Sequence, residues 1–221
     1  MNLFDVLMHG GPLMGPLVAL SVLGLVFFLE RAFYLHKGQI RTAEFVEGIK
    51  NLVRKRRVLE ALTVCEETPG PVAAVIKAAL LHHQEDEARL RGAIQAMALV
   101  EIPALERRLG TIAMIAKVAP MLGLLGTSVG LWQAFRTMEQ QGAYANASSF
   151  SGEMTSALIT TVAGLAVAVV AYLAYHFLHG RVRALVHDME WVGNDILVFL
   201  LTELPNSTAP AADKDAEAPL A

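Results

Sequence analysis

The chain is short of charge. Asp, Glu, Lys and Arg make up 18% of its 221 residues, against about 25% in an ordinary soluble domain. It has no basic excess: 18 Lys and Arg face 21 Asp and Glu, a net charge of −3. That excludes the electrostatic footprint of a nucleic-acid binder, which must neutralise phosphates. Cysteine is nearly absent, and the lone Cys65 excludes an intrachain disulfide and a cysteine-based zinc site. What fills the space is apolar: 54% of the residues, with a mean hydropathy of +0.46. Such a composition excludes intrinsic disorder of the whole chain and argues against a purely soluble fold.

Charge is missing most completely from three runs. Gly10–Leu29, Val118–Phe135 and Met154–Tyr175 contain no Asp, Glu, Lys or Arg. As helices they are roughly 27–33 Å long, against a hydrocarbon core of about 30 Å. Backbone groups in lipid must be satisfied internally, so each run is predicted to be a transmembrane helix. The first is read as a retained span, not a signal peptide, because residues 1–9 carry Asp5 and no Lys or Arg.

Orientation follows from the basic residues near the span ends. Arg31, Lys37, Arg41, Arg107, Arg108, Lys117, Arg181 and Arg183 lie on one side, and Arg136 alone on the other. The predicted organisation is a periplasmic N-terminus (1–9), spans at 10–29, 118–135 and 154–175, and a periplasmic loop (136–153). A cytoplasmic helical domain (30–117), a cytoplasmic helix (176–204) and a disordered tail (205–221) complete it. Within the 30–117 insert, Ile40, Phe45, Ile49, Leu52, Val53, Leu59 and Leu62 recur at helical spacing. The basic run Arg54–Arg57 reads as a solvated turn between helices or as a contact for anionic lipid or a partner. Pro69-Gly70-Pro71 breaks the pattern before a helix at 72–83. From Glu85 an amphipathic stretch is predicted to enter span two unbroken, with Pro103 at most a kink. Span three is predicted to run on to about Leu201, with Trp191 packed between helices.

The faces of spans two and three are lopsided. At 100° per residue, Gly123, Gly126, Thr127 and Gly130 share an arc of about 100°. On span three, Glu153, Ser156, Ala157, Thr160, Thr161, Gly164, Ala168 and Ala171 share about 140°. Leu and Val cover the rest. Two readings are open: plain helix packing, with hydroxyls bonded to the preceding turn, or the polar inner wall of an oligomer. No Asp, Glu, Lys or Arg lies inside any span. A proton path through a bilayer usually needs one, so if protons move, another chain must supply the carboxylate. An intramembrane enzyme has no support: there is no H-E-x-x-H motif and no inward Ser/His pair, and His82 and His83 fall outside the spans. No cofactor or metal site is read.

The segment Ala119-Pro120-Met121-Leu122-Gly123-Leu124-Leu125-Gly126-Thr127-Ser128-Val129-Gly130 resembles the second span of the MotA/TolQ/ExbB proton channel family. Ala157-Leu158-Ile159-Thr160-Thr161-Val162-Ala163-Gly164-Leu165 resembles its third. Leu105-Glu106-Arg107-Arg108-Leu109 is similar to the family's amphipathic lead-in. Three spans and a modest length resemble the ExbB/TolQ branch more than the flagellar MotA branch.

The resemblance implies an all-α integral membrane protein of the bacterial inner membrane, with long cytoplasmic helical extensions, assembled as a homo-pentamer around a central pore. It implies a single-span ExbD/TolR-like partner bearing a membrane Asp, and through it a TonB- or TolA-like protein driven by proton flux. Pore-lining positions implied by motif and face are Thr127, Thr161, Thr160, Ser156, Gly123, Gly126, Gly130, Gly164 and Pro120. Thr127 and Thr161 match the family's pore-facing threonines, and Pro120 its span-two proline. Ser156 stands where relatives often carry Glu; Glu153, one turn earlier on the same face, is assigned to the periplasmic mouth. The proline often found after the small residues of span three is absent near Val169-Val170. A non-conducting membrane scaffold and a stator subunit of the MotA kind are the alternatives, and hydroxyl-lined walls suit either H⁺ or Na⁺.

Overall fold

A computed structural model of the chain describes residues 13–37, 42–142 and 146–203. The expectations for residues 1–9 and 205–221 lie outside them. Seven α-helices occur among the described residues, and no strand: α1 (Met14–Lys37), α2 (Thr42–Arg54), α3 (Val58–Glu67), α4 (Pro71–Leu81), α5 (Glu87–Glu106), α6 (Leu109–Gln141) and α7 (Ala147–Glu203). Three stretches are long and apolar enough to cross a membrane: Met14–Leu35, a window within Glu87–Gln141, and one within Phe150–Glu203. Helix α7, with 57 residues, is roughly 85 Å long, far more than a bilayer core requires.

The chain divides into two compact units. The first comprises residues 1–34 and 106–181, and so holds α1, α6 and the first part of α7. Its helices turn large apolar side chains outward: Leu25, Leu124, Phe135, Leu158, Val162 and Val169 are all exposed. A soluble protein would not expose so much contiguous apolar surface. In lipid that surface needs no further cover.

The second unit comprises residues 35–105 and 182–221 and has a conventional core. Val46, Ile49 and Val53 from α2, Val75, Ile76 and Leu80 from α4, Leu90 from α5, and Met189, Val192 and Ile196 from α7 are buried. Close approach is needed at Gly193, where a Cβ would stand 2.9 Å from Cγ2 of Ile94. Lys50 pairs with Asp195 at 2.7 Å, its ammonium also 5.5 Å from the ring centre of Phe199. Cys65 is buried on α3, and that burial raises its thiol pKa to about 11 despite the opposing influence of Lys77.

The breaks between helices have identifiable causes. At the end of α2, Arg56 adopts φ 58°, the Arg56 N–H donates to Val53 O and the Arg57 N–H to Leu52 O. This is a Schellman stop built on a left-handed residue. The basic run is therefore a helix terminus, with Arg54 paired to Glu203 and Arg57 to Glu60. Gly70, at φ 140°, makes the next turn, and Pro71 opens α4 where its missing N–H is harmless.

Two expectations need correction. The stretch from Glu85 does not enter span two unbroken. Helix α5 ends at Glu106, Arg108 takes φ 66°, and α6 starts at Leu109. Pro103 stays inside α5. The break is fixed by side chains the helical pattern does not reveal: the buried Arg31 Nε donates to Arg107 O, and Arg108 pairs with Glu30. Helix also extends from both spans into the segment 136–153, where α6 reaches Gln141 and α7 begins at Ala147. Trp191 is 51% exposed rather than packed between helices, because the neighbouring Val192 and Met189 take the buried positions.

Candidate functional site: a hydroxyl-bearing wall built by α6 and α7

Helices α6 and α7 approach along their small residues. A Cβ on Gly126 would lie 2.5 Å from Cγ2 of Thr160; on Gly130, 2.5 Å from Cβ of Ala157. The closest backbone approach is at Gly164, where a Cβ would be 2.7 Å from Ala119 O and 2.9 Å from Gly123 Cα. Only glycine permits this spacing, and only close spacing lets dispersion hold two helices together where lipid offers no hydrophobic drive. Gly123 faces Thr161 across the same seam, its virtual Cβ 3.2 Å from Thr161 Cα.

The hydroxyls divide by position. Thr160 is buried at 2% exposure, its Oγ1 donating to Ser156 O at 2.8 Å. Thr161 is half-buried, and its Oγ1 lies 2.9 Å from Gly123 O on α6 and 3.2 Å from Ala157 O on its own helix. One hydroxyl proton is within reach of two carbonyls, one of them across the seam. Thr127, also half-buried, donates to Leu124 O at 2.7 Å. Ser156 and Pro120 are half-buried at its borders. Pro120 sits within α6, where it removes one i→i−4 bond.

At the α6 C-terminal end of the seam, Thr137 Oγ1 donates to Glu153 Oε1 at 3.4 Å, and the carbonyl of Glu153 packs against Gly130. The structure thus brings together Gly123, Gly126, Gly130 and Gly164 with Thr160 and Thr161 in one interface, and sets Glu153 at its end. Among the described residues no group of His, Cys, Asp and Glu could hold a metal ion.

Helix α1 meets the other side of the pair. Leu20, Gly24 and Phe28 of α1 face Ile112 and Ile115 of α6 and Val170, Ala174 and Phe177 of α7 across an apolar cleft. Val170 follows Thr161 by nine residues, about half a turn around α7. The flank bearing Thr161 therefore points away from α1. Sequence reasoning did not find the cluster of Glu30, Arg31, Arg107 and Arg108 in this unit. Its only sequence signal was charge at the span ends, which served to orient the chain.

The family model described as the MotA/TolQ/ExbB proton channel family matches residues 67–191. A protein of Methanothermobacter thermautotrophicus named as a biopolymer transport ExbB homologue is 30% identical over 192 residues, 86% of this chain and 68% of that protein. The Tol-Pal system protein TolQ of Haemophilus influenzae is 39% identical over 106 residues, covering 46% of each. The biopolymer transport protein ExbB of Neisseria gonorrhoeae is 37% identical over 92 residues, covering 42% of this chain and 41% of that one. The matched segment contains the α6–α7 seam with its glycines and threonines, and on these grounds the chain belongs to the MotA/TolQ/ExbB proton channel family, in its ExbB/TolQ branch.

Proposed function

We propose that this chain is the pore-forming scaffold subunit of an inner-membrane motor driven by the proton-motive force, working with a single-span ExbD/TolR-like partner to energise outer-membrane transport or envelope maintenance through a TonB- or TolA-like protein. The observation that carries the reading is the α6–α7 wall. Two spans without Asp, Glu, Lys or Arg are locked together by glycines; Thr161 reaches across the seam to Gly123 O and is turned away from α1, and Thr127 stands half-buried on α6.

The parts of the wall have different duties. Gly123, Gly126, Gly130 and Gly164, with Thr160 buried among them, set the spacing. Thr127 and Thr161 give the surface its hydroxyls, with Pro120 and Ser156 at the border. Hydroxyls can relay a hydrogen bond but cannot hold a proton at neutral pH. The titrating carboxylate is the partner's, set against this wall. Glu153 lies at the periplasmic mouth, where Ser156 carries no charge. Five copies around the partner give the wall a closed interior, with the N-terminus periplasmic and the C-terminus cytoplasmic. Chemical catalysis is no part of the proposed role.

The test is proton uptake by liposomes holding this chain and its single-span partner. Flux is expected with both chains, and none when the partner's membrane Asp is Asn. Thr161→Val and Thr127→Val should each abolish flux while the complex still purifies intact. Undiminished flux in both variants would take the two threonines out of the path, and no flux from the two wild-type chains together would leave the non-conducting scaffold as the better reading.

A further inference from the structure

The cleft between α1, α6 and α7 is not used by the proposed mechanism. It encloses about 570 Å³ and is almost wholly apolar, within the 300–1,000 Å³ of ordinary ligand sites. Small residues, Gly24, Ala166, Ala171 and Ala174 among them, hollow out walls otherwise made of Leu, Ile and Val and of the rings of Phe28 and Phe177. Those rings lie 6.4 Å apart, centre to centre. The guanidinium of Arg181 lies 5.7 Å from the ring centre of Phe177. Close by in the chain, Arg108 lies over Phe27 and pairs with Glu30. The charged residues of this unit near that end are thus Arg31, Arg107, Arg108 and Arg181, against Glu30 and Glu106.

We propose that this cleft binds one anionic phospholipid, its acyl chain lying between α1 and α7 and its phosphate held by Arg181, with Arg108 second. The dimensions favour a chain of methylenes over a helix. A helix is about 10 Å across, whereas the rings of Phe28 and Phe177 on the cleft lie only 6.4 Å apart, centre to centre. The charge favours an anionic headgroup: a greasy slot with arginines at one end complements phosphate as well as acyl tail. An annular lipid needs only the apolar part.

The bound lipid ties α1 to α7 on the side away from Thr161. It therefore acts on how the wall is supported, not on the proton path. The site requires neither a pentamer nor proton flux, so it stands or falls separately from the motor reading.

The experiment uses the full chain in nanodiscs, with Trp132→Phe and Trp191→Phe removing the native tryptophans. Leu25→Trp places a reporter on the cleft, and Leu124→Trp places one on an exposed apolar position of α6 on the flank away from Ile112 and Ile115. Quenching is read with phosphatidylglycerol or phosphatidylcholine carrying brominated tails. At Leu25→Trp the brominated phosphatidylglycerol should be preferred about fivefold, the scale of one arginine at an anionic headgroup. Arg181→Gln should bring the preference close to one while quenching persists, and Leu124→Trp should show no preference. Equal quenching by both lipids at Leu25→Trp, or the same preference at Leu124→Trp, would reduce the cleft to ordinary annular lipid. Absence of quenching by either would mean that protein, such as a second copy of this chain, fills it. Each of these outcomes overturns the proposal.

Discussion

Gly164→Ala is the sharpest probe of the α6–α7 seam. The new methyl would stand 2.7 Å from Ala119 O, 2.9 Å from Gly123 Cα and 3.1 Å from Gly123 N, where ordinary contact begins at 3.4 Å. All three atoms are backbone, so no side chain can rotate aside. About 0.7 Å of separation must be found by moving the helices apart. Such a shift stretches the Thr161–Gly123 hydrogen bond from 2.9 Å to about 3.6 Å, beyond useful geometry. Overpacking costs about 1–3 kcal/mol. Helix propensity returns up to ~1 kcal/mol when Gly becomes Ala. With the full return the balance is a loss of up to about 2 kcal/mol and a loosened wall.

Gly180→Ala is the matched control on the same helix, since nothing lies within 4 Å of its virtual Cβ. It should gain up to ~1 kcal/mol from propensity alone. Thermal melting of the detergent-solubilised protein, followed by circular dichroism, measures both. The expected order of midpoints is Gly180→Ala above wild type above Gly164→Ala. If both variants rise together, α6 and α7 do not touch at Gly164, and the wall described here is wrong.

Further outcomes follow from other parts of the chain. Thr161→Val keeps volume but removes the hydroxyl that reaches Gly123 O; with an interhelical bond in lipid worth about 0.6–1.7 kcal/mol, the melt should fall by no more than a few degrees while proton flux is lost, and an unfolded Thr161→Val protein would assign the hydroxyl to folding instead. The thiol of Cys65, raised to about 11 by burial, should react slowly with iodoacetamide at pH 8, where roughly one thiol in a thousand is ionised, and faster as pH rises toward 11; rapid labelling of folded protein at pH 8 would contradict its placement on α3. Arg108, at φ 66°, should tolerate Gly, which relieves about 1 kcal/mol of backbone strain while losing the pair with Glu30, whereas Arg108→Ile should cost about 2 kcal/mol or more; equal melting midpoints for the two would mean that the left-handed turn between α5 and α6 is not there. Lys50→Met should destabilise the second unit by about 1–3 kcal/mol, because the partly shielded Asp195 loses its counter-ion, and protease cleavage within 42–105 would report it.

The sequence by itself determined the class of this protein. Runs without charge that are long enough to cross a bilayer can only be helices there, because lipid offers the backbone no partners, and the three runs map onto α1, α6 and α7. It also marked the residues of the seam, since Gly123, Gly126 and Gly130 repeat at helical spacing and so must share a face. What it left open was what that face meets. The tertiary structure decided that the glycines, Thr160 and Ala157 meet one another, and that Thr161 reaches across to Gly123 O. A helical wheel fixes direction around one axis but not the neighbour on it. The break at Arg107–Arg108 was beyond sequence reading for a similar reason. The local pattern is helical on both sides, and the left-handed residue is held by Glu30 and Arg31, which lie some 76 residues away in the chain and come near only when the helices pack.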